Sequence, residues 1–440
     1  VTRPLRIVGV ADTDSYVKWT AALLGSLEAG WDAQLRVLET PLVVSDAQLA
    51  AALAGSGLGS RRVRRTAFDD LAGELAGADV VLLGGRGPLV RVLARAAAEL
   101  TPRPVIVTGL PGISIPATRR AVVYRTQSDL FVVHSVRERE AFAALEVSHR
   151  SGQRFALATL PFARSERFGS ASGEADAGTD LIFAAQAKVP SERADRLRVA
   201  RILVRAAEAE PSRRVVVKLR AAAGEHQTHL ERDGYAELLA GMAPLPANLV
   251  TSTGSMAAAL DGAAGLVTVS STAAIEAVAR GIPVIALSDF GVSPLLINEV
   301  FVGSGLFGDA GDLIARRFRH PSAAWLRDNY FHDSTDDDWV DAATALVEAR
   351  RAGALEERGP WRRAGGALRD AWERKVVLGG QDRSAGGMIA LVIGMPLRAI
   401  VRIAQRLRRV VLLDQQPGPD GSSTQVSSTS AVRASSTRTP

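Results

Sequence analysis

The chain has 440 residues, 47% of them hydrophobic and only 5% aromatic, enough for two cores built mainly from aliphatic side chains and alanine. Its formal charge is +6, and its arginine excess accompanies abundant Ala, Gly and Val, the mark of a coding bias. Nucleic acid is therefore not expected as a partner. Cysteine is absent, which excludes disulfides, thiolate nucleophiles and cysteine zinc sites; the six histidines form no His-x-x-x-His pair, so neither a metal nor a cofactor is expected.

The N-terminus opens into a strand at Leu5–Val10 without a signal-peptide h-region, and no apolar run approaches the ~20 residues of a spanning helix, so a cytoplasmic location is expected. Further strands are predicted at Gln34–Leu38, Arg62–Arg65, Val80–Leu83, Val105–Thr108, Leu130–His134 and Phe155–Thr159. Stretches of helical period such as Tyr16–Leu27 and Pro88–Leu100 separate them, which implies a mostly parallel sheet covered on both faces. Asp12 and Asp14 follow the first strand, where a carboxylate can take a proton from a substrate hydroxyl. Helix capping by Asp14 or Ser15 fits the same segment. Gly84-Gly85-Arg86-Gly87 lacks the rest of a dinucleotide fingerprint and is not read as one. Gly109–Pro116 forms an irregular Gly/Pro loop, and His134 stands at a strand-to-helix junction, either at the cleft or in a structural part.

Ser165–Asp180 breaks the alternation and reads as a linker. The pattern restarts with strands at Leu181–Ala184, Val215–Lys218, Asn248–Thr251, Leu266–Val269 and Pro283–Ala286, a second Rossmann-like unit. Two such units in series create a cleft between the carboxyl ends of their sheets. Gln186 and Lys188 end the first of these strands. Lys218 and Arg220 end the second on one side of it, and Glu225, His226 and His229 follow in a polar loop, as phosphate contacts or as a solvated strand end. Gly265–Val284 reads GLVTVSSTAAIEAVARGIPV: a buried strand delivers Ser270, Ser271 and Thr272 to a helix start, where unpaired N–H groups favour a phosphate, and Glu276 lies one turn on, within reach of a ribose. Simple capping explains the same residues.

Phe307–Lys375 is mainly helical. Within it Asp336-Asp337-Asp338 precedes a helix at Trp339–Ala349 and reads as acids at a helix start, without a metal. In Met388–Leu413, Arg398, Arg402, Arg406 and Arg409 share one helical face opposite Ile400, Ile403 and Leu407, the pattern of an interfacial helix on an anionic membrane or of a helix packed on the domains. Gln415–Pro440 is Ser/Thr/Gly/Pro-rich and reads as disordered.

The segment after Asp180 resembles the donor-binding core of GT-B glycosyltransferases. Its Ser270-Ser271 start is similar to the serine motif of bacterial sialyltransferases and capsule polysaccharide transferases. Ser270–Leu306, SSTAAIEAVARGIPVIALSDFGVSPLLINEVFVGSGL, also resembles an uncharacterised bacterial family of putative glycosyltransferases, over most of Leu5–Leu306. Lys218-Leu219-Arg220 stands where the capsule and sialic-acid enzymes carry a His-Pro pair, which argues against a CMP-type donor. The resemblance implies an α/β chain of two Rossmann-like domains: an acceptor domain over 1–164, a linker over 165–180 and a nucleotide-sugar donor domain over 181–320. A helical extension over 321–385, a basic amphipathic helix over 386–413 and a disordered tail over 414–440 would follow. It implies a metal-independent transferase with Asp12, Asp14 or His134 as the catalytic group. Its partners would be a nucleotide-sugar donor and a glycan or lipid-linked acceptor, and it would lie in the cytoplasm or peripherally on the inner face of the membrane. A nucleotide-sugar epimerase of the same fold, or a non-catalytic nucleotide-sugar binding module, fits the same pattern.

Overall fold

The computed structural model describes residues 3–163, 178–219, 233–242, 244–359 and 366–394. The first sheet contains β1 (Leu5–Ala11), β2 (Trp31–Leu38), β3 (Val63–Thr66), β4 (Val80–Gly84), β5 (Val105–Gly109), β6 (Leu130–Val133) and β7 (Phe155–Leu157), all parallel in the order β3-β2-β1-β4-β5-β6-β7. The second contains β8 (Asp180–Ala184), β9 (Val215–Lys218), β10 (Leu249–Ser252), β11 (Ala263–Thr268), β12 (Val284–Leu287) and β13 (Phe307–Gly308), parallel in the order β10-β9-β8-β11-β12-β13. Buried parallel strands read as near-continuous apolar runs because helices cover both faces. VVLLG in β4 and VIVTG in β5 are buried at every position. These are two Rossmann-like units, as the sequence predicts; Asp180, placed in the predicted linker, already opens β8, and most of that linker lies outside the described residues.

The helix Asp14–Gly25 shows how packing fixes the site. It buries Tyr16, Val17, Trp19, Thr20, Leu23 and Leu24 against the first sheet. Gly109 has no Cβ because one would lie 2.3 Å from the Trp19 ring, and a Cβ on Gly84 would lie 2.2 Å from Thr20 Oγ1. The small residues at the ends of β4 and β5 thus let this helix approach the sheet edge.

The segment predicted as a helical extension is not an appendage. Trp339, Ala343, Leu346 and Val347 of the helix Trp339–Arg351 belong to the core of the first sheet. The helix Gly366–Leu378 lies along Gly87–Ala98, with Arg91–Glu373 at 3.3 Å and Arg95–Asp370 at 3.0 Å. The chain therefore crosses back after the second sheet to complete the first unit.

The units also touch directly. Ile115, Leu160 and Ala163 share a cluster with Ile182, Ala274 and Phe301, and Arg137 donates to the carbonyls of Val300 and Glu299, both at 3.1 Å. A Cβ on Gly112 would lie 2.7 Å from Thr272 Cγ2, so the Gly109–Pro116 loop abuts the second unit at its predicted donor segment.

Candidate functional site

Each sheet has one place where neighbouring strands send their connections in opposite directions: between β1 and β4 in the first and between β8 and β11 in the second. A crevice opens at the carboxyl ends of such a pair. Asp12 and Thr13 leave β1, and Gly85 and Arg86 leave β4. Ala185–Lys188 leave β8, and Val269–Thr272 leave β11.

Asp12 is fully buried, and neither carboxylate oxygen has a hydrogen-bond partner among the described residues. Its nearest cation is Arg86, with Nη2 3.8 Å from Oδ2, beyond hydrogen-bond length. Burial pushes the Asp12 carboxyl up to about 6, with Arg86 and the residue's own backbone N–H opposing the rise. Thr13 Oγ1 and Arg86 Nε are likewise buried without a partner among the described residues. Beside them the Tyr16 phenol is raised by burial and held by Arg125. The Arg125 guanidinium is 1% exposed and donates to the carbonyls of Gly85 at 3.1 Å and Gly109 at 3.4 Å, fixing the ends of β4 and β5. Asp14 is the first residue of its helix. Thr13, not Asp14 or Ser15, occupies the N-cap position, and it makes no side-chain cap bond.

His134 lies inside the first unit, not at the cleft. Its Nε2 accepts from Trp19 Nε1 at 2.6 Å, and its Nδ1 donates to the Ala158 carbonyl at 2.7 Å. Burial lowers it to about 4, so the ring is neutral and has no nitrogen left for a proton transfer. It positions Trp19. The neighbouring Glu138 is also buried and accepts from His134 N, Ser114 N and Tyr330 Oη, which anchors the Gly109–Pro116 loop.

At the second crevice Gln186 and Ser270 satisfy each other. Gln186 Oε1 accepts from Ser270 N at 3.0 Å and its Nε2 donates to Ser270 Oγ at 3.1 Å. Ser271 N donates to Thr268 Oγ1, and Ser271 Oγ accepts from Ala273 N at 3.2 Å. Thr272 is the N-cap of the short helix Ala273–Ala279 and lines the interdomain pocket. Glu276 pairs with Arg280 at 3.4 Å instead of standing open for a ribose. Lys218 is 5% exposed and its Nζ donates to the Leu219 carbonyl at 2.5 Å, whereas Lys188 is exposed. Arg220, Glu225, His226 and His229 lie outside the described residues.

Two cavities bear on the choice of site. A 470 Å³ pocket is lined by Thr13, Tyr16, Arg86, Gly112 and Ser114 from the first unit and by Thr272 from the second. A larger one of 1020 Å³ is lined by Glu28, Asp337 and Asp341 among others, with no Lys or Arg among its described lining, so it repels phosphates. Of the acids at 336–338, Asp337 and Asp338 have protein partners. Asp337 Oδ1 takes His332 Nε2 at 2.9 Å and Thr159 Oγ1 at 3.0 Å, and Asp338, at the N-cap but without a side-chain cap bond, accepts from Leu157 N at 2.6 Å. They clamp elements together instead of capping the helix as predicted. Among the described residues no group of three or more His, Asp or Glu is placed to hold a metal ion, and no helix is long and apolar enough to cross a membrane. Of the predicted 386–413 helix, residues up to 394 are described; they are helical, with Met388, Ile389, Val392 and Ile393 exposed. Arg398, Arg402, Arg406 and Arg409, and the tail over 414–440, lie outside the described residues.

Sequence reasoning missed Arg86 and Arg125. The signal for Arg86 was its place directly after a buried strand, but its pairing with Asp12 depends on β4 lying beside β1.

The family described as "Putative glycosyltransferase (DUF6716)" matches residues 7–346. Among solved structures, the S. aureus MnaA–UDP co-structure is similar with a TM-score of 0.50 and 10% identity, covering 81% of this chain and 100% of that one. A "putative UDP-N-acetylglucosamine 2-epimerase from Listeria monocytogenes" is similar with a TM-score of 0.52 and 11% identity, covering 83% and 100%. At these identities the likeness is one of fold, and the fold is the two-domain GT-B type. No curated protein matches by sequence.

Proposed function

This chain belongs to that family, and on that premise we propose that it is a metal-independent glycosyltransferase that moves a sugar from a nucleotide-sugar donor to a hydroxyl of a surface or capsule-like glycan, free or lipid-linked. The observation that carries the reading is Asp12, a buried carboxylate with no hydrogen-bond partner among the described residues, set behind Thr13 and Arg86, which line a pocket that reaches across to Thr272. In the proposed step the acceptor oxygen bonds to the anomeric carbon and its proton passes to Asp12. The bond from that carbon to the phosphate oxygen breaks, and its electron pair leaves with the nucleotide. Lys188, Ser271 and Thr272 are the proposed contacts for the leaving phosphate, joined by Arg220 and the Glu225–His229 loop. Cations and N–H groups fixed in advance stabilise the charge that develops there. No cofactor beyond the donor is required.

Titration with UDP, CMP and GDP, followed by their sugars, tests the donor side. One nucleotide should bind, and Lys188→Ala combined with Ser271→Ala should weaken it on the order of tenfold, the loss of about 1.4 kcal/mol. Unchanged affinity removes these residues from the site, and a nucleotide sugar converted to its epimer without an acceptor replaces transfer by epimerisation.

The proposal places the enzyme in the cytoplasm, resting on the inner membrane surface. The exposed Met388, Ile389, Val392 and Ile393 support this, ahead of the arginines from Arg398 onward. A chain truncated after Arg383 should lose sedimentation with anionic vesicles and keep nucleotide binding. Indifference of the full chain to such vesicles at low salt refutes the anchor.

A further inference from the structure

We propose that the acceptor carries an anionic group, a carboxylate or a phosphate, within a few bonds of the reacting hydroxyl, and that Arg86 is the residue that selects it. The inference rests on the transferase reading and names the substrate class of the same site.

The geometry of the Arg86–Asp12 pair carries it. Arg214 closes its fork on a carboxylate, with Nε and Nη2 bonding both oxygens of Asp180. Arg86 and Asp12 do not close. Their nearest atoms stay 3.8 Å apart, both Asp12 oxygens and Arg86 Nε lack partners among the described residues, and Thr13 Oγ1 beside them is also unpaired. Buried polar groups left in such a state are normally satisfied by a bound molecule or ordered water. The unmet groups are complementary in a specific way: Asp12 accepts, and Arg86 offers the planar donor fork that fits a carboxylate or phosphate. A ligand that answers them presents a negative group to Arg86 and Thr13 at the pocket wall, with its hydroxyl toward the Asp12 carboxylate behind them.

The remaining wall narrows the choice. Arg86 is the only charged residue lining the 470 Å³ pocket among the described residues. Leu110, Pro111, Ile113 and Phe142 give it an apolar side, and Ser15, Ser114 and Thr118 supply hydroxyls. A neutral sugar would leave the guanidinium unanswered. An acid sugar or a sugar or polyol phosphate would not. Arg86 is 40% exposed in its side chain, so an anion reaches it without displacing the sheet. Arg125, the other nearby guanidinium, is turned inward onto the Gly85 and Gly109 carbonyls and does not line the pocket.

The test uses the full chain and four probes: glycerol 3-phosphate against glycerol, and glucuronate against glucose, each titrated calorimetrically with and without the best-binding nucleotide. At least one anionic probe should bind and its neutral partner should not; which one binds separates phosphate from carboxylate. Arg86→Gln should weaken the anionic probe on the order of 10- to 100-fold, as loss of a charge-assisted contact does. Arg86→Lys should restore part of it, and nucleotide affinity should not move. Equal binding of neutral and anionic probes overturns the proposal, as does binding of neither anionic probe. So does an Arg86→Gln variant that keeps the anion affinity, or one that loses nucleotide affinity instead. The wild-type probe comparison stands even if a variant misfolds. A chain that binds the anionic probe but no nucleotide or nucleotide sugar defeats the transferase reading and leaves the Arg86 site intact.

Discussion

The two crevices are built to one plan and finished differently. Under each lies a buried arginine bonded to the carbonyls of the crevice loops: Arg125 to Gly85 and Gly109, and Arg196 to Gln186 and Pro190. Each guanidinium lies over a ring, Phe131 at 5.3 Å and Tyr235 at 4.4 Å. Above this scaffold the second crevice satisfies itself, Gln186 with Ser270 and Ser271 with Thr268. The first leaves Asp12, Thr13 and Arg86 with polar atoms unmet among the described residues. Burying an unpaired carboxylate costs stability, and in the proposed transfer the first crevice is where the proton is handled. In the same proposal the second is the stiff edge against which the donor is held.

Asp12→Asn breaks this contrast with the largest expected effect. Transfer should fall by about 10²- to 10⁴-fold, with nucleotide affinity unchanged. The same change should stabilise the protein. Because Asp12 titrates near 6 in the folded chain and near 3.8 when exposed, the folded state binds its proton more tightly. Its contribution to stability is intact below about pH 4 and is lost as pH rises through 6, a difference of roughly 3 kcal/mol at neutral pH. The asparagine variant should therefore melt higher than wild type at about pH 8 and differ little at about pH 4, while wild-type transfer rises with pH through about 6. An asparagine variant that melts lower at both pH values ends the picture of an unpaired carboxylate.

Gln186→Ala probes the other side and should do less. It strips Ser270 of its partner, so a loss of about 1–2 kcal/mol in denaturant unfolding is expected, with the pH midpoint of transfer unmoved. A shift of that midpoint would couple the two crevices and dissolve the distinction between them.

Much of this was legible in the residues. Buried parallel strands announce themselves as apolar runs, and the residues that follow them, Asp12, Gln186, Ser270 and Thr272, fall at the crevices because ligands and loops share the carboxyl edge. The two-residue β13 left no run to read. Arg86 was written among glycines, and its relation to Asp12 is a matter of strand order. His134 has the right residue type at the right edge, but its ring belongs to Trp19, 115 residues away in the chain. Glu276 and Lys218 have suitable charges and are turned to Arg280 and to the Leu219 carbonyl. Partner choice of this kind is set by packing between segments distant in sequence, which linear spacing does not encode.

The return of the chain to its first unit has a consequence for synthesis. The face of the first sheet that Trp339, Ala343, Leu346 and Val347 cover is complete as soon as Leu157 has been made, yet its cover is encoded about 180 residues later. At ribosomal speeds that is a wait of roughly 10–40 s, during which the second unit, whose strands are contiguous in the chain, can assemble whole. The growing polypeptide must shield an apolar sheet face through that interval, and the unit begun first is the one finished last.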